Sequence, residues 1–185
     1  MRNLKVVKDL LVNDLLGELG NEQGRCFAQL KEDAADAKLK MIRIFDVSPG
    51  SILINLDKVE QPRTLLRNEK GQRQRCDYVL LTICENRPLM LFVEIKSSTV
   101  SKAEIQRQFK GAECMMDYCD AVLNRFHDQD NLLGSFLKRF VVFYKPRIAK
   151  RATRSHGPPQ KNDIAERAFR YPSPHNPSLK SLVHL

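Results

Sequence analysis

The sequence predicts an α/β domain with a mixed central β-sheet flanked by helices, followed by a basic, Pro-rich C-terminal tail. Two apolar runs, 77–84 and 89–96, alternate too little to be surface strands, so they predict central strands covered on both faces. Apolar residues from Ile105 to Phe126 recur every three or four positions, which predicts a helix with one buried face. Strand and helix segments that follow one another in this way are typical of layered α/β domains.

Two helices and two strands are predicted ahead of the apolar runs. Apolar residues at every third or fourth position predict a first helix over 4–19, and Asn21 is placed to cap a second helix over 21–40. The inner face of that second helix would contain Cys26, Phe27, Leu30, Ala34 and Ala37. Strands over 41–47 and 51–57 follow, joined by a Ser-Pro-Gly turn.

The polar and basic residues 60–75 are predicted to form a loop before the two apolar runs. The helix after these runs is expected to begin at Ser101, whose spacing to Glu104 has the form of a capping box. The pattern over 132–139 is compatible with an extension of the helical region, and 140–144 is the last predicted strand.

Residues 1–145 are predicted to form the domain, and residues 146–185 a basic, Pro-rich extension that is only partly ordered. Nine Lys/Arg and two Asp/Glu lie between Lys145 and Leu185, so most of the net charge of +9 belongs to this quarter of the chain. Such a segment favours a phosphate backbone as partner, with a merely solubilising tail as the alternative. Its apolar residues also indicate contact with a protein partner or with the domain itself; they include Leu179, Leu182, Val183 and Leu185.

Composition argues against several classes of protein. Hydrophobic residues make up 42% of the chain, which is enough for a core that needs no disulfide or structural metal. No apolar run approaches the roughly 20 residues of a membrane span, and no secretory signal is recognisable, so a cytoplasmic protein without membrane contact is expected. The five cysteines form no CxxC pair and the four histidines lack ligand spacing, which argues against a zinc site.

The end of the second apolar run carries two charged side chains on one face. Because strand side chains alternate, Glu94 and Lys96 point the same way from a strand whose other residues are apolar. A two-residue turn at 85–86 would pair Asp77 with Glu94, and a four-residue turn at 85–88 would pair it with Lys96. Either register places Asp77 on the face of the other two. Three charged groups are therefore expected to converge at one end of the hairpin.

Two neighbouring carboxylates in a partly buried place repel each other, and a divalent cation relieves that repulsion. Oxygen ligands of this kind suit Mg²⁺ or Mn²⁺, which keep water molecules and accept phosphate oxygens. A bound cation lowers the pKa of a water and stabilises charge on a phosphate that is being cleaved. Lys96 could orient or deprotonate the attacking water, or neutralise charge in the transition state.

Asp77, followed after sixteen residues by Glu94-Ile95-Lys96, resembles the D-Xn-(D/E)-X-K signature of the PD-(D/E)XK nuclease superfamily. That superfamily includes restriction endonucleases, junction resolvases and RecB-type nuclease domains. The resemblance implies a restriction-endonuclease-like core, with Asp77 and Glu94 as metal ligands, the Ile95 carbonyl as a further ligand and Lys96 as the catalytic lysine. The proline that usually precedes the aspartate is Cys76 here.

The resemblance implies two further site residues. Members often have a glutamine in the helix after the motif, which Gln108 matches best and Gln106 second best. Many also carry a glutamate on a helix before the sheet, for which Glu22 is the first choice and Glu18 the second. As an order of elements, the resemblance covers about residues 20–145.

We therefore expect a Mg²⁺- or Mn²⁺-dependent nuclease that acts on DNA, with RNA, cleavage polarity and oligomeric state left open; a homodimer is compatible with the sequence. No sequence-reading module and no GxxxxGK[ST] motif is present, so a protein partner is expected, as in a prokaryotic DNA-processing or anti-phage assembly. The alternative is a non-catalytic nucleic-acid-binding or scaffold subunit of the same fold, in which Asp77, Glu94 and Lys96 are only a structural cluster.

Overall fold

A computed structural model describes residues 4–32, 39–63, 65–96, 101–145, 160–172 and 176–184. Three helices and eight strands form most of this part of the chain. In chain order they are α1 (Leu4–Leu10), β1 (Glu18–Glu22), β2 (Arg25–Lys31), β3 (Met41–Phe45), β4 (Ile52–Asn55), β5 (Tyr78–Cys84), β6 (Arg87–Lys96), α2 (Lys102–His127), β7 (Leu137–Tyr144), β8 (Phe169–Pro172) and α3 (Leu179–Leu182).

The larger sheet has five strands in the order β4-β5-β6-β7-β8. Strands β4, β5 and β6 pair antiparallel, whereas β6, β7 and β8 run parallel. The predicted mixed sheet is therefore confirmed, and the molecule is an α/β protein. A second, antiparallel sheet contains β1, β2 and β3.

Strands β5 and β6 form the predicted hairpin around a two-residue turn. Glu85 and Asn86 have φ values of 49° and 61°, the left-handed conformation that type I′ turns require at both central positions. The turn joins the pair Cys84↔Arg87, and the register continues to Tyr78↔Val93 at the other end. Of the two registers that the sequence allowed, the structure thus has the one that follows from a two-residue turn.

Each face of the larger sheet is covered. Helix α2 packs on one face, where Phe92 and Phe140 stack with 4.9 Å between ring centroids and Phe109 contacts Phe140 edge-on at 5.2 Å. Residues of β2, β3 and α3 pack on the other face, against the apolar residues of β5, β6 and β7 that point there. Burial on both sides explains why the central strands read as nearly continuous apolar runs.

Within the described residues, the two helices predicted over 4–19 and 21–40 are wrong beyond α1. Residues 18–31 form the β1–β2 hairpin, with a tight turn at Gln23 and Gly24, which both have positive φ. Apolar residues two apart on β2, such as Ala28 and Leu30, point into the core. Ala34 and Ala37, assigned to the inner face of the second helix, lie outside the described residues.

The predicted helix at Ser101 is confirmed, because the Ser101 hydroxyl accepts a hydrogen bond from the Glu104 amide at 3.1 Å. Helix α2 ends at His127, turns follow, and strand β7 begins at Leu137, so the helical extension predicted over 132–139 is wrong. Among the described residues, no helix combines the length and the apolar composition that crossing a bilayer requires.

The described part of the C-terminal segment adds to the sheet and to the core. Strand β8 pairs with β7, and Leu179 and Leu182 of α3 are buried on the face opposite α2. Asn162 holds this segment in place: its amide nitrogen donates to the carbonyls of Phe140 and Leu182 at 3.1 and 3.0 Å. Residues 146–159, 173–175 and Leu185, which belong to the predicted extension, lie outside the described residues.

Candidate active site

The hairpin register brings Asp77 and Glu94 to one face of the sheet. Asp77 directly precedes β5, and continuing the pairing beyond Tyr78↔Val93 sets it opposite Glu94. This is the face that α2 covers. The Ile95 backbone amide donates a hydrogen bond to Asp77 Oδ2 at 2.5 Å, which fixes the aspartate against the end of β6.

Glu94 is a carboxylate with 0% of its surface exposed. Its Oε1 forms an ion pair with Nζ of Lys96, whose side chain is 16% exposed. Apart from this ion pair, neither carboxylate oxygen has a well-formed hydrogen bond within the described residues, although the Asp77 backbone amide is close enough to lower the pKa of Glu94. A buried carboxylate with unused acceptor positions is costly unless a cation or a donor reaches it.

Burial and mutual repulsion shift the pKa values of the three charged groups. Burial raises the pKa of Glu94 to about 7, although the attraction of Lys96 opposes the shift. Burial, and next the charge of Glu94, hold the pKa of Asp77 well above its usual range. Burial alone would lower the pKa of Lys96, but the neighbouring carboxylates outweigh it and raise the pKa. Both carboxyl groups are therefore costly to ionise without a compensating charge, which a bound cation would supply.

A third carboxylate, Asp57, lies near the cluster, and it is not part of the sequence motif. It sits in the 3₁₀ turn after β4, and the Leu56 amide of the same turn donates to the Asp77 carbonyl at 2.8 Å. The charge of Asp57 contributes to the raised pKa values of both Asp77 and Glu94. The pairing of β4 with β5 could have identified it. The observed register, continued by one pair, sets Leu56 opposite Asp77, and Asp57 is the next residue along the chain.

Gln108, the first-choice glutamine, lies half-buried on α2 between Ile105 and Phe109, which are both in the core. Its Oε1 is buried and has no hydrogen-bond partner among the described residues. Helix α2 packs against β6, the strand that carries Glu94. Gln106 is also half-buried, but neither amide atom of its side chain is among the buried atoms that lack a hydrogen-bond partner. Of the two glutamines, Gln108 is therefore the one whose buried side-chain oxygen still lacks a hydrogen-bond donor.

Glu22 and Glu18 are not on a helix before the sheet, because the chain forms β1 there. Glu22 makes an ion pair with Arg43 at 3.1 Å on the smaller sheet. Leu16 pairs antiparallel with Ile54, so the residues after Leu16 run alongside β4 towards its first residue. Asp77 lies at the opposite end of β4, next to its last residue. The structure therefore does not bring Glu22 to the hairpin carboxylates.

Asp77 and Glu94 are the residues that could hold a cation, through carboxylate oxygens at the hairpin end. The described residues contain no group of three His, Cys, Asp or Glu that is arranged to hold a metal ion. Mg²⁺ commonly binds one or two carboxylates and completes its coordination with waters and phosphate oxygens, so two such ligands suffice. The unused acceptor positions of Glu94 fit this chemistry.

No family model, no curated protein and no solved structure matches this chain.

Proposed function

We propose that this protein is a Mg²⁺- or Mn²⁺-dependent nuclease that hydrolyses DNA phosphodiester bonds at the end of the β5–β6 hairpin. The observation that carries the proposal is the buried Glu94 carboxylate, set opposite Asp77 with Lys96 beside it. An apolar strand has no structural need for two acids and a lysine on one face, and each raises the cost of folding. Such a cluster is the kind of strained polar site at which function is expected.

The residues take distinct roles in this proposal. Asp77 and Glu94 bind the cation through carboxylate oxygens, and the Ile95 carbonyl is a further candidate ligand. A bound divalent cation would lower the pKa of the attacking water and stabilise the charge of the scissile phosphate. Lys96 orients that water or neutralises charge that develops on the phosphate. Gln108 supplies a hydrogen-bonding group from α2.

The order of elements also supports the proposed restriction-endonuclease-like core. Antiparallel strands β4, β5 and β6 are followed by α2 and by β7, which returns parallel to β6. Action within a larger prokaryotic DNA-processing or anti-phage assembly, in the cytoplasm, is part of the proposal and rests on analogy.

Cleavage assays with plasmid, linear duplex and single-stranded DNA, each with Mg²⁺, Mn²⁺ or EDTA, test the proposal. We expect cleavage that requires the metal and that falls by at least about 100-fold in Glu94→Gln, Asp77→Asn and Lys96→Met. Because the three groups act as one unit, each single substitution should cost nearly as much as all three together. An RNA of the same sequence in parallel reactions distinguishes a deoxyribonuclease from a ribonuclease.

Glu22→Gln is the matched control, because it removes one carboxylate that the structure places on the smaller sheet. This variant should cleave as the wild type does, and circular dichroism should show that all the variants fold. Cleavage that survives EDTA, or that persists in Glu94→Gln, would contradict the proposed mechanism.

A non-catalytic nucleic-acid-binding or scaffold subunit is the second candidate. One observation favours it: Lys96 already compensates part of the Glu94 charge, and no third ligand is arranged with the two carboxylates among the described residues. Thermal unfolding with and without Mg²⁺ separates the candidates. A metal site gives a concentration-dependent rise in the unfolding temperature that Glu94→Gln removes, whereas a purely structural cluster gives none.

A further inference from the structure

A cleft of about 450 Å³ lies between the beginning of α2 and the C-terminal segment. Lys102, at the first residue of α2, lines one side, and Arg167 and Arg170 of the C-terminal segment line the other. All three side chains are exposed. We call this cavity, with its three cationic residues, the basic cleft. The cleft is therefore assembled from two parts of the chain that are far apart in sequence.

The strand register connects the cleft to Glu94. Glu94 pairs with Val142 of β7, and Val142 pairs with Arg170 of β8. Val142 belongs to the core on the α2 face, so this row of paired residues faces the same side as Glu94. Two strand spacings separate Arg170 from Glu94, which is about 10 Å along the sheet.

Further along the same face of the sheet, the aromatic ring of Tyr144 lies between the hairpin carboxylates and the basic cleft. Lys96 pairs with Tyr144, and the guanidinium of Arg170 lies 5.5 Å from the centre of the Tyr144 ring. Tyr144 is half-buried at the carboxyl end of β7. A guanidinium stacked on a ring is held in place and keeps its charge, so Arg170 can still bind an anion.

The acids in and beside the cleft are each paired with a base, including Glu166, which lines the cleft together with Lys102 and Arg170. Glu166 makes an ion pair with Lys110 at 2.9 Å, and Asp163 makes ion pairs with Lys161 and Arg167 at 3.3 and 2.5 Å. Neither Lys102 nor Arg170 has an acidic partner within ion-pair distance in the described part of the chain. These two cations are therefore free to bind an anionic ligand.

We propose that the basic cleft binds the sugar-phosphate backbone of the nucleic-acid strand one or two nucleotides from the bond that is cleaved. The inference rests on the proposed function for the position of that bond. Neighbouring phosphates of one strand lie farther apart than the 3.4 Å rise per nucleotide along the helix axis, so about 10 Å spans one or two phosphates, and Arg170 reaches a nearby phosphate while Lys96 faces the scissile one. The C-terminal segment thereby supplies part of the substrate grip, and the cleft sets which way the strand crosses the hairpin.

Binding is measured by fluorescence anisotropy in EDTA, with a short duplex DNA and its single strand, over a range of NaCl concentrations. Removing one phosphate-binding cation should reduce the slope of log Kd against log salt by about 0.9 on the duplex and by about 0.7 on the single strand. We expect Arg170→Gln and Lys102→Gln each to show such a reduction, and the double variant to show about twice the change. The cleft binds the form of DNA whose slope falls by the value expected for one lost phosphate contact, and a form whose slope stays unchanged is not bound there.

Arg125→Gln is the matched control, since it removes one exposed positive charge from the other end of α2, about 35 Å from Lys102. Arg170→Lys retains the charge and should retain the slope, which separates a phosphate contact from a folding defect. Slopes that do not change in Arg170→Gln and Lys102→Gln, or that change equally in Arg125→Gln, would overturn the inference.

Cleavage assays on the same variants distinguish failure of this inference from failure of the proposed function. If the wild type cleaves DNA but the slopes do not respond to the cleft variants, the cleft is wrong and the nuclease stands. If the slopes respond but Glu94→Gln and the wild type are equally inactive, the cleft stands and the nuclease is wrong.

Discussion

Glu94 and Asn162 are both polar side chains with no exposed surface, and their surroundings differ completely. The Asn162 side chain uses its donors and its acceptor: the amide nitrogen donates to two carbonyls, and the oxygen accepts from the His184 amide at 3.3 Å. Glu94 has the Lys96 ion pair and, among the described residues, no other well-formed bond. A polar group that the protein satisfies by itself is explained by structure, whereas one left short of partners calls for a separate explanation, such as a water, an ion or a catalytic role.

The two residues also differ in what their removal should do to stability. Asn162 joins the C-terminal segment to β7, so its loss leaves several buried backbone groups without partners. Glu94 costs free energy whenever it is ionised, because burial raises its pKa to about 7. Stability should therefore fall when Asn162 is truncated and rise when the charge of Glu94 is removed.

The largest effect is expected for Asn162→Ala. The substitution leaves the carbonyls of Phe140 and Leu182 and the His184 amide without their partner, at a cost of about 1–3 kcal/mol for each group that water cannot reach. We expect the free energy of unfolding in urea to fall by about 4 kcal/mol. Asn124→Ala, which removes one exposed bond to Asp130, should change it by less than about 1 kcal/mol. Equal effects of the two substitutions would contradict the role of Asn162.

A smaller effect of opposite sign is expected for Glu94→Gln in EDTA. The folded state of the wild type holds a proton on Glu94 up to a pKa of about 7, whereas the unfolded chain releases it near the ordinary value of 4.5. Between these values the folded state binds more protons, so the wild type loses stability as the pH rises. At pH 8 the variant should be more stable by about 3 kcal/mol, and near pH 4 the two should be equal.

Urea unfolding from pH 4 to pH 8 measures this difference. Saturating Mg²⁺ should reduce it, because a cation bound to the ionised carboxylates stabilises the wild type alone. Parallel curves for wild type and variant at every pH would mean that Glu94 is not held above its ordinary pKa. In that case the contrast with Asn162 would lose its physical basis.

The smallest effect is expected for Asp57→Asn in the same assay. Removing this charge lowers the pKa values of Asp77 and Glu94, since Asp57 contributes to raising both. The loss of stability with rising pH should therefore be complete at a lower pH than in the wild type. Asp9→Asn, an exposed acid on α1, is the control and should leave the curve unchanged. An unchanged curve for Asp57→Asn would place Asp57 outside the electrostatic reach of the cluster.

The hairpin could be predicted from sequence because its information is local. The turn at Glu85 and Asn86 and the alternation along β6 fix which residues share a face, and both registers that were considered agree on Asp77. The buried face of α2 was predictable for the same reason, since its apolar period is long and regular.

Residues 18–31 show where local patterns fail. Cys26, Phe27 and Leu30 fit a helical period, but the chain reverses at Gln23 and Gly24 and pairs as strands. Short apolar runs do not distinguish the two periods, and the choice is made by burial against the larger sheet. Asp57 and β8 were missed because their positions follow from pairing between distant segments, which no local pattern records.

The Asn162 contact has a consequence for the order of folding. The ribosome makes strands β4 to β7 before residues 160–184, so the sheet face that awaits Leu179 and Leu182 stays open during synthesis. A nascent chain with that apolar surface uncovered is prone to aggregate or to engage chaperones until the later segment docks. The formation of the bonds around Asn162 is therefore a late step of folding, one that also completes the basic cleft beside the hairpin.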